Sequence, residues 1–192
     1  MTAEPLLRLD GVALIRGGRL LFEGIGLELR PGAAALVRGP NGIGKSSLLR
    51  VAAGLLRASV GQVRRGGRLA LADEAAALDG RLTLRRALDF WARLDGARAE
   101  DGIERMGLSR LADVPVHMLS TGQRKRAALA RVIASGAPLW LLDEPANGLD
   151  AEGAERLAAA MARHRQAGGA VLAATHQPIG LDDAEQLTLA AL

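Results

Sequence analysis

The sequence predicts an α/β fold with a mostly parallel sheet, and three observations carry that expectation. Short apolar runs bordered by Gly or Pro, such as residues 33–37, 139–142 and 170–174, read as buried strands. Longer stretches with apolar residues at helical spacing, such as 83–94 and 151–167, alternate with them. Between one such strand and one such helix lies Gly39-Pro40-Asn41-Gly42-Ile43-Gly44-Lys45-Ser46-Ser47, a glycine loop of the form GxxxxGK[ST].

Phosphate chemistry explains the spelling of this loop. Gly39, Gly42 and Gly44 let the backbone curl so that successive N–H groups point inward at phosphate oxygens. A helix expected from Ser46 to about Leu56 adds the positive end of its dipole. Lys45 can reach β- and γ-phosphates, and the Ser46 hydroxyl can bind Mg²⁺. Of 25 Lys and Arg, only Lys45 and Lys125 are lysines. A chain that writes Arg nearly everywhere has kept Lys where a compact charge on a thin stem is needed. The competing reading is a chance glycine-rich turn in a chain with 24 Gly.

With 192 residues the chain is expected to form a single domain, residues 1–192, with a sizeable core. Apolar residues make up 49% and aromatics 2%, so Leu, Ala and Val must build that core. Cysteine is absent, which excludes disulfides and thiolate metal sites. The start, Met-Thr-Ala-Glu-Pro, lacks a basic segment followed by an apolar one, so no signal peptide is expected. No apolar run approaches the ~18 residues of a membrane span. The net charge is +4. Its arginines are spread along helix faces and aromatic stacking platforms are missing, so no nucleic-acid partner is expected.

Along the chain, residues 6–15 and 20–29 read as strands joined by a Gly17-Gly18 turn, and Pro31-Gly32 breaks the chain before the loop strand. Short strands follow near 62–64 and 68–72. Residues 83–94 and 100–112 read as helices, the second ending before Pro115. Ser120 is a natural N-cap for a helix over Gln123 to Ala134, and the Ser-Thr-Gly turn before it makes a second anion site. The strand Pro138 to Glu144 ends in two carboxylates, Asp143 and Glu144, at the sheet edge where open α/β folds hold ligands. A helix over 151–167, a strand over 170–174, His176 and an edge strand over 186–191 complete the chain.

These pieces, in this order, resemble the nucleotide-binding subunit of ABC transporters over nearly the whole chain. Residues 39–47 match its Walker A, Leu119-Ser-Thr-Gly-Gln123 its LSGGQ signature, and Leu139–Glu144 its Walker B with the adjoining glutamate. Asn147-Gly-Leu-Asp150 corresponds to its D-loop and His176 to its switch histidine. The phrases around Leu21-Phe22-Glu23-Gly24, Asp143–Asp150 and Ala174–Pro178 are similar to the haem-exporter ATPase subunit of cytochrome c biogenesis. The fold implied is a P-loop NTPase of ABC type, with a small N-terminal antiparallel sheet and an inserted helical subdomain at about 76–130.

The resemblance also implies roles. Gly39, Pro40, Asn41, Gly42, Ile43, Gly44, Lys45, Ser46 and Ser47 would hold ATP, with Mg²⁺ on Ser46, Asp143 and the Q-loop residue. Glu144 would deprotonate the attacking water and His176 would contact the γ-phosphate. Ser120, Thr121, Gly122, Gln123 and Asp150 would close on the ATP of a second subunit in a head-to-tail dimer. Integral membrane subunits would be driven from the cytoplasmic face of the inner membrane, where this chain would sit peripherally. Haem export is the first expectation; another exported substrate, or soluble work in cofactor assembly or DNA repair, are the alternatives.

Three departures stand out. Thr121 replaces the first glycine of the signature pair, and Glu74 stands where the Q-loop carries glutamine. There is no tyrosine, so the usual platform for adenine is missing and Ile15 or Arg16 would have to cover the base. Plainer readings stand beside the functional ones: Asp143 and Glu144 as a strand-end charge pair, His176 as a surface histidine. Phe90 and Trp91 are either part of a groove for a membrane partner or core, and their helical offset of about 100° makes at least one of them core.

Overall fold

The computed structural model describes residues 4–73 and 77–190. Two sheets form. In the first, β1 (Leu7–Arg16) pairs antiparallel with β2 (Arg19–Leu29) and with β4 (Val60–Arg65). The second has five strands in the order β5, β6, β7, β3, β8, all parallel: Leu69–Ala72, Leu139–Asp143, Ala170–Ala174, Ala34–Arg38 and Glu185–Thr188. The expected mostly parallel core sheet and small antiparallel sheet are both present.

Side-chain alternation splits the core in two. Ala35, Val37, Leu139, Leu141 and Leu172 face a cluster that includes β1, β2 and helix α1 (Lys45–Ala53). Ala34, Leu36, Trp140, Leu142 and Val171 face the other cluster, shared with α2 (Leu84–Leu94), α3 (Glu100–Arg105), α4 (Thr121–Ala134) and α5 (Ala151–Gln166). Continuous apolar runs were therefore the right sign of strands covered on both faces.

Several boundaries differ from expectation. The helix after the glycine loop stops at Ala53, because Gly54 takes a left-handed conformation (φ 83°) and caps it. The expected helix over 100–112 breaks after Arg105 and resumes as a 3-10 turn over Ser109–Leu111. The last strand is shorter than 186–191 and starts at Glu185. Among the described residues no helix is long and apolar enough to cross a membrane.

Strand order places the functional loops. β6, β7 and β3 are neighbours, so their carboxyl ends lie side by side. Asp143 ends β6, Thr175 and His176 follow β7, and Gly39 follows β3. Residues from far apart in the sequence thus meet at one edge of the parallel sheet, the place where such sheets take ligands.

Candidate nucleotide site

A cleft of about 850 Å³ opens at this edge. Its wall includes Asn41, Gly42, Gly44, Lys45, Ser46 and Ser47 from the glycine loop and Asp143 and Glu144 from β6. Asn147, His176, Gln177, Arg16, Leu21 and Arg50 complete it.

The loop is built as its sequence required. Gly44 is the N-cap of α1, with φ 114° and no side chain capping the first turn. A Cβ there would combine a strained backbone with a 3.3 Å approach to the Phe22 ring. The first-turn amides of α1 are thus left for a ligand, and with the dipole they favour an anion. Lys45 is 7% exposed. Its Nζ donates to the carbonyls of Gly39 (2.9 Å) and Pro40 (3.0 Å), which hold the side chain curled back over its own loop. Ile43 is buried beneath the loop and serves it as a packing residue.

His176 joins this cluster. Its Nε2 lies 2.8 Å from Lys45 Nζ, 2.9 Å from Asn41 Oδ1 and 3.6 Å from Glu144 Oε1. One ring nitrogen cannot both accept from Lys45 and donate to Asn41, so the two contacts belong to alternative tautomers. The backbone beneath it is tied down: Thr175 is fully buried, and Arg38 Nη1 donates to its carbonyl at 2.5 Å. The imidazole itself is 45% exposed, at the wall of the cleft.

Glu144 carries the one left-handed backbone among the described non-glycine residues, φ 42°. Its amide still donates to Ala174 O at 2.8 Å, one step beyond the last strand pair. The chain therefore kinks directly after Asp143 and directs a half-buried carboxylate, its side chain 17% exposed, into the cleft. Such strain costs about 1–3 kcal/mol and clusters at functional sites. An ordinary strand-end charge pair does not require it.

The metal expectation can be weighed against the donors present. Among the described residues no cluster of three or more His, Cys, Asp and Glu could hold a metal by itself. The cleft offers a cation the Ser46 hydroxyl and the Asp143 carboxylate. Two hard oxygen donors suit Mg²⁺, which keeps waters and takes substrate phosphates as further ligands. Glu74, the third expected ligand, lies outside the described residues.

The signature residues lie elsewhere, and none of Ser120, Thr121, Gly122 and Gln123 lines the cleft. Ser120 caps α4 by accepting from Gln123 N (3.2 Å), and Gln123 Oε1 accepts from Ser120 N (2.9 Å), a closed capping box. Gly122 packs on the D-loop so closely that a Cβ would meet Gly148 O at 2.8 Å. Asp150 also stands outside the cleft; it caps α5 by accepting from Gly153 N at 2.8 Å.

Three cleft-side contacts were not foreseen from the sequence. Arg38 anchors the His176 loop, Arg50 lines the cleft and faces Asp73 at 3.9 Å, and Lys125 Nζ donates to Asp143 O at 3.3 Å. Lys125 alone left a trace, as the second of only two lysines.

A second hollow, about 410 Å³, is lined by Ala77, Asp79, Leu82, Ala87, Phe90 and Trp91. The expectation that one of these aromatics is core fails. Phe90 is 56% exposed, and Trp91 is half-buried. The Trp91 ring lies under the Arg131 guanidinium at 5.1 Å while its N–H donates to Ala77 O at 2.6 Å, so it lines the hollow from the side.

Comparison with known proteins agrees with this geometry. A family model described as ABC transporter matches residues 22–147. The cytochrome c biogenesis ATP-binding export protein CcmA of Sphingopyxis alaskensis is 61% identical over 97% of this chain and 98% of its own length. The protein of that name from Novosphingobium aromaticivorans is 53% identical over 93% and 92%. A solved ATP-binding subunit of an ABC transporter shares the fold, with TM-score 0.82 and 22% identity over 89% of this chain and 79% of that one. The chain belongs to the ABC transporter family, and within it to the group of the cytochrome c biogenesis ATP-binding export protein CcmA.

Proposed function

We propose that this chain is the ATP-hydrolysing subunit of the haem exporter complex of c-type cytochrome biogenesis. The observation that carries the ATPase reading is the meeting of Lys45, Glu144 and His176 in one cleft at the ends of β3, β6 and β7. The export role rests on the CcmA relatives.

The residues divide the work as follows. The α1 amides and Lys45 hold the phosphates, Lys45 exchanging its loop carbonyls for phosphate oxygens. His176, already at Lys45, contacts the γ-phosphate in place of one of its present neighbours. The Glu144 carboxylate accepts a proton from the attacking water while the bond between the γ-phosphorus and its bridging oxygen breaks. Ser46 and Asp143 would hold Mg²⁺, which neutralises charge on the phosphates. The capped, exposed Ser120-Thr121 turn does not line its own cleft, which supports its use by a second subunit in a head-to-tail dimer. Asp150, beside Gly122's contact at Gly148, belongs to the same contact surface.

The helices from α2 to the start of α4 form an inserted subdomain at about 76–130. The Phe90–Trp91 hollow on it receives the integral membrane subunits, with the chain peripheral on the cytoplasmic face of the inner membrane. Glu144→Gln tests the core of the reading. Hydrolysis with membrane partners present should fall by about 10²–10⁴-fold while ATP still binds. Near-normal turnover in that variant removes Glu144 from the role of base.

A further inference from the structure

Lys125 is one of only two lysines among the 25 basic residues, and the reaction outlined above leaves it without a task. It is the fifth residue of α4 and half-buried. Its Nζ reaches across to the sheet and donates to Asp143 O at 3.3 Å. That carbonyl and the Glu144 N–H belong to one peptide unit. The N–H end is held as well, donating to Ala174 O at 2.8 Å. The peptide plane between Asp143 and Glu144 is therefore pinned at both ends, from α4 on one side and from the end of β7 on the other.

The setting of that plane matters because the chain kinks directly after it. The Glu144 φ of 42° is rotation about the bond that joins this plane to the Glu144 Cα. A non-glycine residue persists in the left-handed region only where its surroundings hold it there. A loosened plane lets φ relax, and the carboxylate that now lines the cleft swings away with it. The residue type suits the task. An ammonium on a thin, unbranched stem can bring several donors to one carbonyl from a neighbouring helix.

We propose that Lys125 is a positioning residue for hydrolysis, clamping the Asp143–Glu144 peptide in the conformation that aims the Glu144 carboxylate into the cleft. This rests on the reading of Glu144 as the base. Lys125 itself does not line the cleft and touches no reacting atom. Its removal therefore acts on turnover through Glu144 and leaves nucleotide binding alone.

Amide hydrogen exchange of the nucleotide-free protein tests the clamp without reference to activity. Lys125→Met keeps the unbranched stem and removes the donors. In that variant the Glu144 amide should exchange about 5-fold faster or more, while the mid-strand Leu141 amide keeps its rate. Lys125→Arg should restore the protection, and Lys125→Gln, a shorter neutral donor, should lie between the two. With membrane partners present, Lys125→Met should lower kcat by about 10-fold or more and leave KM for ATP within about 2-fold. Added to Glu144→Gln, it should cost almost nothing further, because the carboxylate it positions is gone. Unchanged exchange at Glu144 in Lys125→Met overturns this proposal alone. So does a full additional loss in the Glu144→Gln background, or a loss of ATP affinity that matches the loss of turnover. Normal turnover of Glu144→Gln by itself removes the base, and this proposal with it.

Discussion

Two helices in this molecule begin with small, polar turns, and they treat their first-turn amides in opposite ways. At α1, Gly44 caps without a side chain and the amides are left open beside Lys45. At α4, Ser120 and Gln123 close a reciprocal capping box over theirs. Sequence alone presents both as anion sites. The structure separates them: the first is a cradle with no side-chain cap, while the second already spends its Gln123 amide on the Ser120 hydroxyl. Thr121, in place of the first glycine of the signature pair, is exposed at that turn.

That contrast can be broken at either end. Lys45→Ala should have the largest effect, weakening ATP by about 10- to 100-fold through lost charge-assisted hydrogen bonds. Calorimetry reads it, and thermal stability should change far less than affinity. Ser120→Ala should do the reverse. Losing the cap costs about 1 kcal/mol of stability, while binding of ATP to the single chain stays as it was. A drop in single-chain affinity there would mean that α4 contributes to its own cleft.

The far end of a third helix sharpens the comparison by reversing its sign. His164 sits in the last turn of α5, where the dipole favours a cation. Burial against Trp140 and β7 nevertheless pushes its pKa below the ordinary value, outweighing the nearby Ala170 and Pro138 backbone, which acts the other way. The folded state therefore resists the proton that the unfolded chain accepts near pH 6.5. Its stabilising contribution is full above that pH and is lost as pH falls toward the lowered folded value. Denaturant titrations of the parent from pH 7.5 to 5 should show this loss, the smallest of these effects, and His164→Phe should flatten it.

Much of this was legible in the chain. Strands covered on both faces write themselves as apolar runs, and a phosphate loop must spell Gly, Lys and Ser at fixed spacing, so the parallel sheet and residues 39–47 could be read directly. The Asp143–Glu144 pair was visible, but the kink at Glu144 was not, because no residue type announces a left-handed glutamate. Convergence was harder still: Lys45 and His176 lie 131 positions apart and meet only through strand order. The broken helix after Arg105 was missed because its apolar spacing continues past Gly107, whose φ of 66° ends the turn. Ser120 was legible as a cap; that Gln123 would return the bond was a matter of side-chain geometry.

The placement of the two tryptophans has a practical consequence for spectroscopy. Trp140 is buried at 4% exposure, its ring 3.8 Å from His164 and nearly parallel to it. Trp91 sits half-exposed at the hollow on α2. Intrinsic emission therefore divides into a blue-shifted channel that reports the state of the core and a red-shifted one that reports the hollow. With no tyrosine to excite, light absorbed near 280 nm goes to these two rings alone. A single-tryptophan variant at either position turns the unlabelled protein into its own probe, of unfolding in one case and of occupancy at the hollow in the other.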